Sequence, residues 1–224
     1  MNAAVIVAAG QGVRMGFDKL MAPLCGDPVI RHTLRAFASC EDIHGIWIVA
    51  GPERAGEIQG AGPMPDKFRG FVEGGAERHL SVDAGLRAVP PEYVMVAVHD
   101  GARPLIHPSQ ISRCLEEARR TGAAASARRI TDTVKRADSQ GRVIGGIDRI
   151  GLWAMETPQV FRLDLLRAAY ARVMEVGALV TDEVSAVEHT GHDVYLVENP
   201  WPNLKITLPG DLETAALLMA GKTN

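Results

Sequence analysis

The stretch from Ala8 to Lys19 reads Ala-Ala-Gly-Gln-Gly-Val-Arg-Met-Gly-Phe-Asp-Lys and has the composition of an anion site. Ala8, Ala9, Gly10 and Gly12 carry so little side chain that a ligand can approach the backbone, where successive N–H groups form a nest for phosphate oxygens. Arg14 and Lys19 add two full positive charges to the same loop. Its letters disfavour two common nucleotide motifs. A dinucleotide fingerprint needs a glycine where Met15 stands and an acid about 20 residues on, and a P-loop needs Ser or Thr where Leu20 follows Lys19.

Four further signatures follow strand candidates. They are Gly74-Gly75-Ala76-Glu77-Arg78-His79-Leu80-Ser81, then Val98-His99-Asp100-Gly101-Ala102-Arg103-Pro104, then Asp148-Arg149-Ile150-Gly151-Leu152-Trp153 with Thr157-Pro158-Gln159, and last Thr181-Asp182-Glu183 with Asn203-Leu204-Lys205-Ile206-Thr207. By themselves several have plain structural readings. Asp100 and Arg103 could be an ion pair, Lys205 an edge-strand decoration, and Ser81 and Thr181 N-caps for the helices that follow them. The seven histidines show no ligand spacing, and His99 reads as packing beside the site.

The elements that must position these residues alternate. Strand candidates are Ala3-Ala9, Ile46-Ala50, Phe68-Val72, Val94-Val98, Ala123-Ala127, Val194-Val197 and Leu204-Thr207, several of them apolar throughout, as strands buried on both faces are. Between them Ile30, Leu34 and Phe37 share one helical face, with Asp27 as N-cap and Pro28 at the first helical position. Val82, Leu86 and Val89 form another stripe, Ile111, Leu115 and Ala118 a third, and Gly122 and Gly177 stand where helices should stop. The pattern predicts an α/β fold, a Rossmann-like, mostly parallel sheet covered by helices on both faces, with ligands at the carboxyl ends of the strands.

Residues 130–150 break that rhythm. Thr133-Val-Lys-Arg and Arg142-Val-Ile-Gly flank the turn Ala137-Asp-Ser-Gln-Gly141, which predicts a projecting β-hairpin arm. Such an arm is marginal alone in water, so a second copy of the chain is expected to cover it. The whole of residues 1–224 reads as one nucleotide-handling domain bearing this arm, with one short helix from near Pro209 and no room for a fused further enzyme.

Bulk properties narrow the partners. With 46% hydrophobic and 23% charged residues and a net charge of −3, the chain is an ordinary globular protein without a general pull toward nucleic acid or anionic membrane. Any anion must meet a local cluster of bases. Three scattered cysteines, Cys25, Cys40 and Cys114, suggest neither a disulfide framework nor a zinc site and fit a reducing cytoplasm. The apolar run at the N-terminus is too short to span a bilayer.

Taken in order, the five signatures resemble the 2-C-methyl-D-erythritol 4-phosphate cytidylyltransferases of the non-mevalonate isoprenoid pathway. The resemblance implies direct, in-line attack of a polyol phosphate oxygen on the α-phosphorus of CTP, with pyrophosphate leaving and no covalent intermediate. It assigns Arg14, Lys19 and Lys205 to the reacting phosphates, and Ala8, Ala9, Gly10, Gly12, Gly75, Ser81 and Ala102 to the nucleotide. Asp100, Arg103 and Thr181 fall to the polyol phosphate, and Thr133 and Arg149 reach it from the neighbouring subunit's arm. A homodimer is implied, and so is Mg²⁺ or another divalent cation, because triphosphate charge must be neutralised. Its ligands are unknown, with Asp100 and Asp182 as candidates.

The chain departs from the family pattern at two places. Asp18-Lys19-Leu20 stands where the family usually has Pro-Lys-Gln, and Ala76 replaces an acid near the base. Asp18 could orient Lys19, bind metal or face water, and the last is expected. A ribitol 5-phosphate cytidylyltransferase and a catalytically silent nucleotide-binding module are the alternatives.

Overall fold

In the computed structural model, residues 1–10 and 18–221 are described. Strand β1 (Asn2–Val7) enters the glycine-rich loop, and two short strands, β2 (Pro23–Leu24) and β3 (Asp27–Pro28), precede helix α1 (Val29–Ser39). The alternation continues through β4 (Gly45–Val49), α2 (Pro52–Gly60), β5 (Phe68–Val72), α3 (Arg78–Ala88), β6 (Met95–Asp100) and α4 (Pro108–Thr121). β7 (Ala123–Arg129) leads into the arm, made of β8 (Val134–Ala137) and β9 (Val143–Ile147), and β10 (Trp153–Arg162) returns from it. α5 (Leu163–Val176), α6 (Glu183–Glu188), β11 (Tyr195–Glu198) and α7 (Pro209–Ala220) complete the order.

Seven strands form one sheet in the order β11-β7-β10-β6-β1-β4-β5. Every neighbouring pair is parallel except the two made by β10, which runs antiparallel to β6 and β7. Alternate side chains of β1 face opposite ways, as a pleated strand requires. Ala4 and Ile6 pack with Ile30, Leu34 and Phe37 of α1 and Ile111 and Leu115 of α4. Ala3 and Val5 pack with Val82 and Leu86 of α3 and Leu166 and Tyr170 of α5. Burial of both faces accounts for the unbroken apolar runs.

Helices end as the glycines predict. Gly122 closes α4 and Gly177 closes α5, both in the left-handed conformation with φ of 91° and 63°. Other expectations are corrected. Pro28, not Asp27, is the N-cap residue of α1, and the Asp27 carboxylate instead accepts a 2.6 Å bond from Arg35. Leu204–Thr207 is not a strand, although Ile206 N donates to Ala102 O at 2.8 Å. β10 was not foreseen. Among the described residues no helix is long and apolar enough to cross a membrane, and the three cysteines are unpaired.

Candidate active site

β1 and β6 lie side by side at the centre of the sheet, so their carboxyl ends open together. Ala8 N donates to Val49 O at 2.8 Å, continuing the ladder one residue past β1, and Gly101 N donates to Val7 O at 2.9 Å. The space beyond them is a cleft of about 230 Å³. Ala8, Ala9, Gly10 and Lys19 line it from the loop, Gly75 from the turn before α3 and Ser81 from the helix's first turn. Asp100 and Ala102 form its base, with Lys205 on the far side. Close approach here demands glycine: a Cβ on Gly74 would lie 2.7 Å from both Ala9 Cβ and Ser81 Oγ, and one on Gly75 would lie 2.4 Å from Leu80 Cβ.

Asp100 is the electrostatic centre. Its carboxylate meets Lys205 Nζ at 2.9 Å, Arg103 Nε at 3.4 Å and Arg78 Nη2 at 3.4 Å. Burial would push this carboxyl up, but the three cations outweigh it and hold Asp100 well below the usual carboxylate range. The neighbouring His99 ring is fully buried against Phe37, and burial pushes its pKa down to about 3. The ring is packed beside the cleft, with Nδ1 2.9 Å from Thr157 Oγ1, and is not among the residues that line it.

Arg103 Nη1 also donates to Asn203 O at 2.9 Å, tying the end of β6 to the segment that carries Lys205. That segment is held from below by Glu156, a buried carboxylate on β10 that accepts bonds from Asn199 at 2.8 Å and Asn203 at 3.1 Å. Lys205 therefore reaches the cleft from an irregular stretch pinned by side chains, not from a strand edge.

Several residues are placed differently from expectation. Ser81 lies inside the first turn of α3, where its hydroxyl donates to Glu77 O at 3.1 Å and Gly75 O at 3.3 Å, so it fastens the Gly75 turn without capping the helix. Asp182, not Thr181, caps α6, accepting from Ser185 N at 2.9 Å; exposed Thr181 sits just before it, outside the cleft lining. Thr133 and Arg149 are exposed on the arm and do not line the cleft, and Arg149 Nη1 donates to Thr131 O. Asp18 does not simply face water, because it pairs with Arg54. Gly12 and Arg14 lie outside the described residues.

The structure adds three residues to which the sequence assigned no role. Arg78 makes a two-pronged pair with Glu183, at 2.6 and 3.1 Å, while its other contact is Asp100. Tyr170 of α5 donates to the same Glu183 at 3.1 Å. Burial opposes the charge on Arg78, yet Glu183 and Asp100 raise its pKa above the ordinary guanidinium range. Arg78 and Glu183 both stand inside the signatures, but a pairing across 105 positions leaves no local trace.

Neither metal candidate is arranged as a cage. Asp182 is engaged by Ser185 and Gln159, Asp100 by three cations, and no three His, Cys, Asp or Glu side chains among the described residues converge to hold an ion. Asp100 is the buried carboxylate of the cleft lining, so an ion carried mainly by phosphates and water would find one protein oxygen donor there.

Comparisons with known proteins bear on the family and the fold. The family model described as "IspD: 2-C-methyl-D-erythritol 4-phosphate cytidylyltransferase" matches residues 2–221. A protein of that name from Desulforamulus reducens is 41% identical, the match covering 95% of this chain and 93% of the relative. One from Bacillus velezensis is 43% identical over 98% of this chain and 96% of its own length. Among solved structures, 4-diphosphocytidyl-2C-methyl-D-erythritol synthase from Anaerococcus prevotii superposes with a TM-score of 0.85 at 28% identity, covering 98% of this chain and 96% of that one.

Proposed function

The chain belongs to the 2-C-methyl-D-erythritol 4-phosphate cytidylyltransferase family, and on that premise we propose how its cleft transfers CMP from CTP to methylerythritol phosphate. A phosphate oxygen of the polyol attacks the α-phosphorus, the new O–P bond forms in line with the bond to the β-phosphate, and that bond breaks with its electron pair leaving on pyrophosphate. The observation that carries this reading is the convergence of Lys205, Arg103 and Arg78 on Asp100 beside a loop of small residues.

Backbone N–H groups of Ala8 to Gly12 cradle the triphosphate, while Gly75 and Ser81 shape the wall for base and ribose. Lys19, Arg14 and Lys205 meet the charge that gathers on the phosphoryl oxygens, which is where preorganised cations lower the barrier most. Lys205 rests on Asp100 until a triphosphate competes for it. Asp100 keeps Arg78 and Arg103, so its carboxylate stays ionised and can accept hydrogen bonds from polyol hydroxyls. Mg²⁺ or a similar ion, when bound, neutralises charge between the phosphates.

Thr133, Arg149 and Thr181 are the substrate-phosphate and polyol contacts that the single chain leaves away from the cleft, and Arg103 lines the adjoining cavity with Asn203 and Lys205 while holding Asp100. We place Thr133 and Arg149 in the partner subunit's site, in a homodimer built through the arm. Val143, Ile144 and Ile150 support this, being large apolar side chains 61%, 56% and 86% exposed on and beside a hairpin that pairs only with itself. Three unpaired thiols suit a reducing cytoplasm.

Purified protein with Mg²⁺, each of the four nucleoside triphosphates and either methylerythritol phosphate or ribitol 5-phosphate should release pyrophosphate with CTP and methylerythritol phosphate. No release from that pair, or faster release with ribitol 5-phosphate, overturns the reading.

A further inference from the structure

We propose that Asp18 and Arg54 form a positioning pair that fixes the returning stalk of the phosphate loop and, through it, the backbone of Lys19. The inference rests on the reading of Lys19 as a triphosphate contact and concerns how this chain holds it there.

The loop leaves the sheet after β1 and returns at Asp18. Its outgoing stalk is secured to β4 by the bond from Ala8 N to Val49 O. Its returning stalk is secured to the helix that follows β4, because Asp18 Oδ2 accepts from Arg54 Nη1. Both stalks are thus tied to the same β4–α2 unit. Among the described residues, a cavity of about 490 Å³ between the outgoing stalk and α2 is lined by Ala9 and Gly10 together with Gly51, Pro52, Arg54 and Glu57.

The second carboxylate oxygen acts on the turn itself. Asp18 Oδ1 accepts from Leu20 N at 3.0 Å and Met21 N at 3.3 Å, so the backbone wraps around the carboxylate with Lys19 at the bend. Beyond the bend Leu20 is buried in the core and its carbonyl accepts from Ile30 N at 3.0 Å, giving the turn a rigid base. Arg54 is oriented in turn by Glu57 at 2.8 Å, one helical turn on. The side chains are only 20% and 35% exposed, for Arg54 and Asp18, so the pair is partly shielded from solvent. A carboxylate bound to two amides and a guanidinium does by hydrogen bonding what a rigid turn residue at position 18 would do by its ring.

A double-mutant cycle tests this in the full-length enzyme with Mg²⁺, CTP and methylerythritol phosphate. Asp18→Asn keeps an acceptor for the turn but loses the ion pair, and Arg54→Ala removes the same pair from the other side. Each should raise the KM for CTP and lower kcat, together about tenfold in kcat/KM, since displacement of a phosphate contact by a fraction of an ångström is costly. The KM for methylerythritol phosphate should stay within about twofold. The double variant should be no worse than either single one, and Arg54→Lys should recover part of the loss. Asp18→Ala, which also frees the two amides, should be the worst of the series. Additive losses, or an unchanged KM for CTP in both single variants with normal melting, would overturn the pairing. An inactive wild type with CTP would instead sink the proposed function, so the two failures are distinguishable.

Discussion

Asp100, at the base of the cleft, is 8% exposed and touches cations from three segments of the chain, whereas Ile150, at the root of the arm, is 86% exposed. The cleft is assembled by long-range closure. Arg78, Arg103 and Lys205 come from α3, the turn after β6 and the stretch after β11, and each is also held by a further partner or by a neighbouring bond. The arm is assembled locally, from two strands facing each other across a short turn, with Asp138 accepting from Gln140 N and Arg142 N at its tip. A charge cluster of the first kind is preorganised inside one chain. A hairpin of the second kind presents Thr133 and Arg149 to whatever lies beside it, which is why the two regions are read as halves of one site supplied by two chains.

The largest expected effect strikes the cleft. Lys205→Ala should lower kcat by about 10²-fold or more if the lysine stabilises the transition state, with the melting temperature nearly unchanged because Asp100 retains Arg78 and Arg103. Steady-state turnover and a melting curve read both. Intact turnover would remove Lys205 from the mechanism.

A smaller effect should come from the arm's apolar surface. Ile144→Asp places a charge where a second copy is expected to pack, and should shift the protein toward monomer in sedimentation analysis. Turnover should fall about tenfold at low protein concentration and recover partly as concentration rises. A variant that stays dimeric, or a fully active monomer, would erase the distinction between the two regions.

Legibility in the sequence followed the same division. β1, β4 and β6 were readable because residues such as Ala3 to Ile6 are buried on both faces, and the arm was readable because its turn chemistry is local. β10 was missed because Glu156, Thr157 and Gln159 are polar and a proline interrupts them. They are buried nonetheless, satisfied by partners such as Ser126, Asn199 and Asp182. Leu204–Thr207 alternates like a strand, yet its place is set by Arg103, Asn203 and Glu156, none of which acts locally.

The site was legible as residue types and not as contacts. Gly74 and Gly75 stood in a signature without a stated steric role, and the structure supplies one, since neither position leaves room for a Cβ. Asp18 was misread because its partner Arg54 lies on α2, beyond α1 and β4 and 36 residues away. The pairing of Arg78 with Glu183 was hidden for the same reason.

The central claim, that cleft and arm from different subunits make one active site, is tested most directly by complementation. Arg149→Ala and Lys205→Ala chains should each be nearly inactive alone. Mixed in equal amounts under conditions of demonstrated subunit exchange, they should regain about a quarter of wild-type turnover, because half the dimers are mixed and each has one intact site. No recovery in proven heterodimers would contradict the account and leave a site built from one chain.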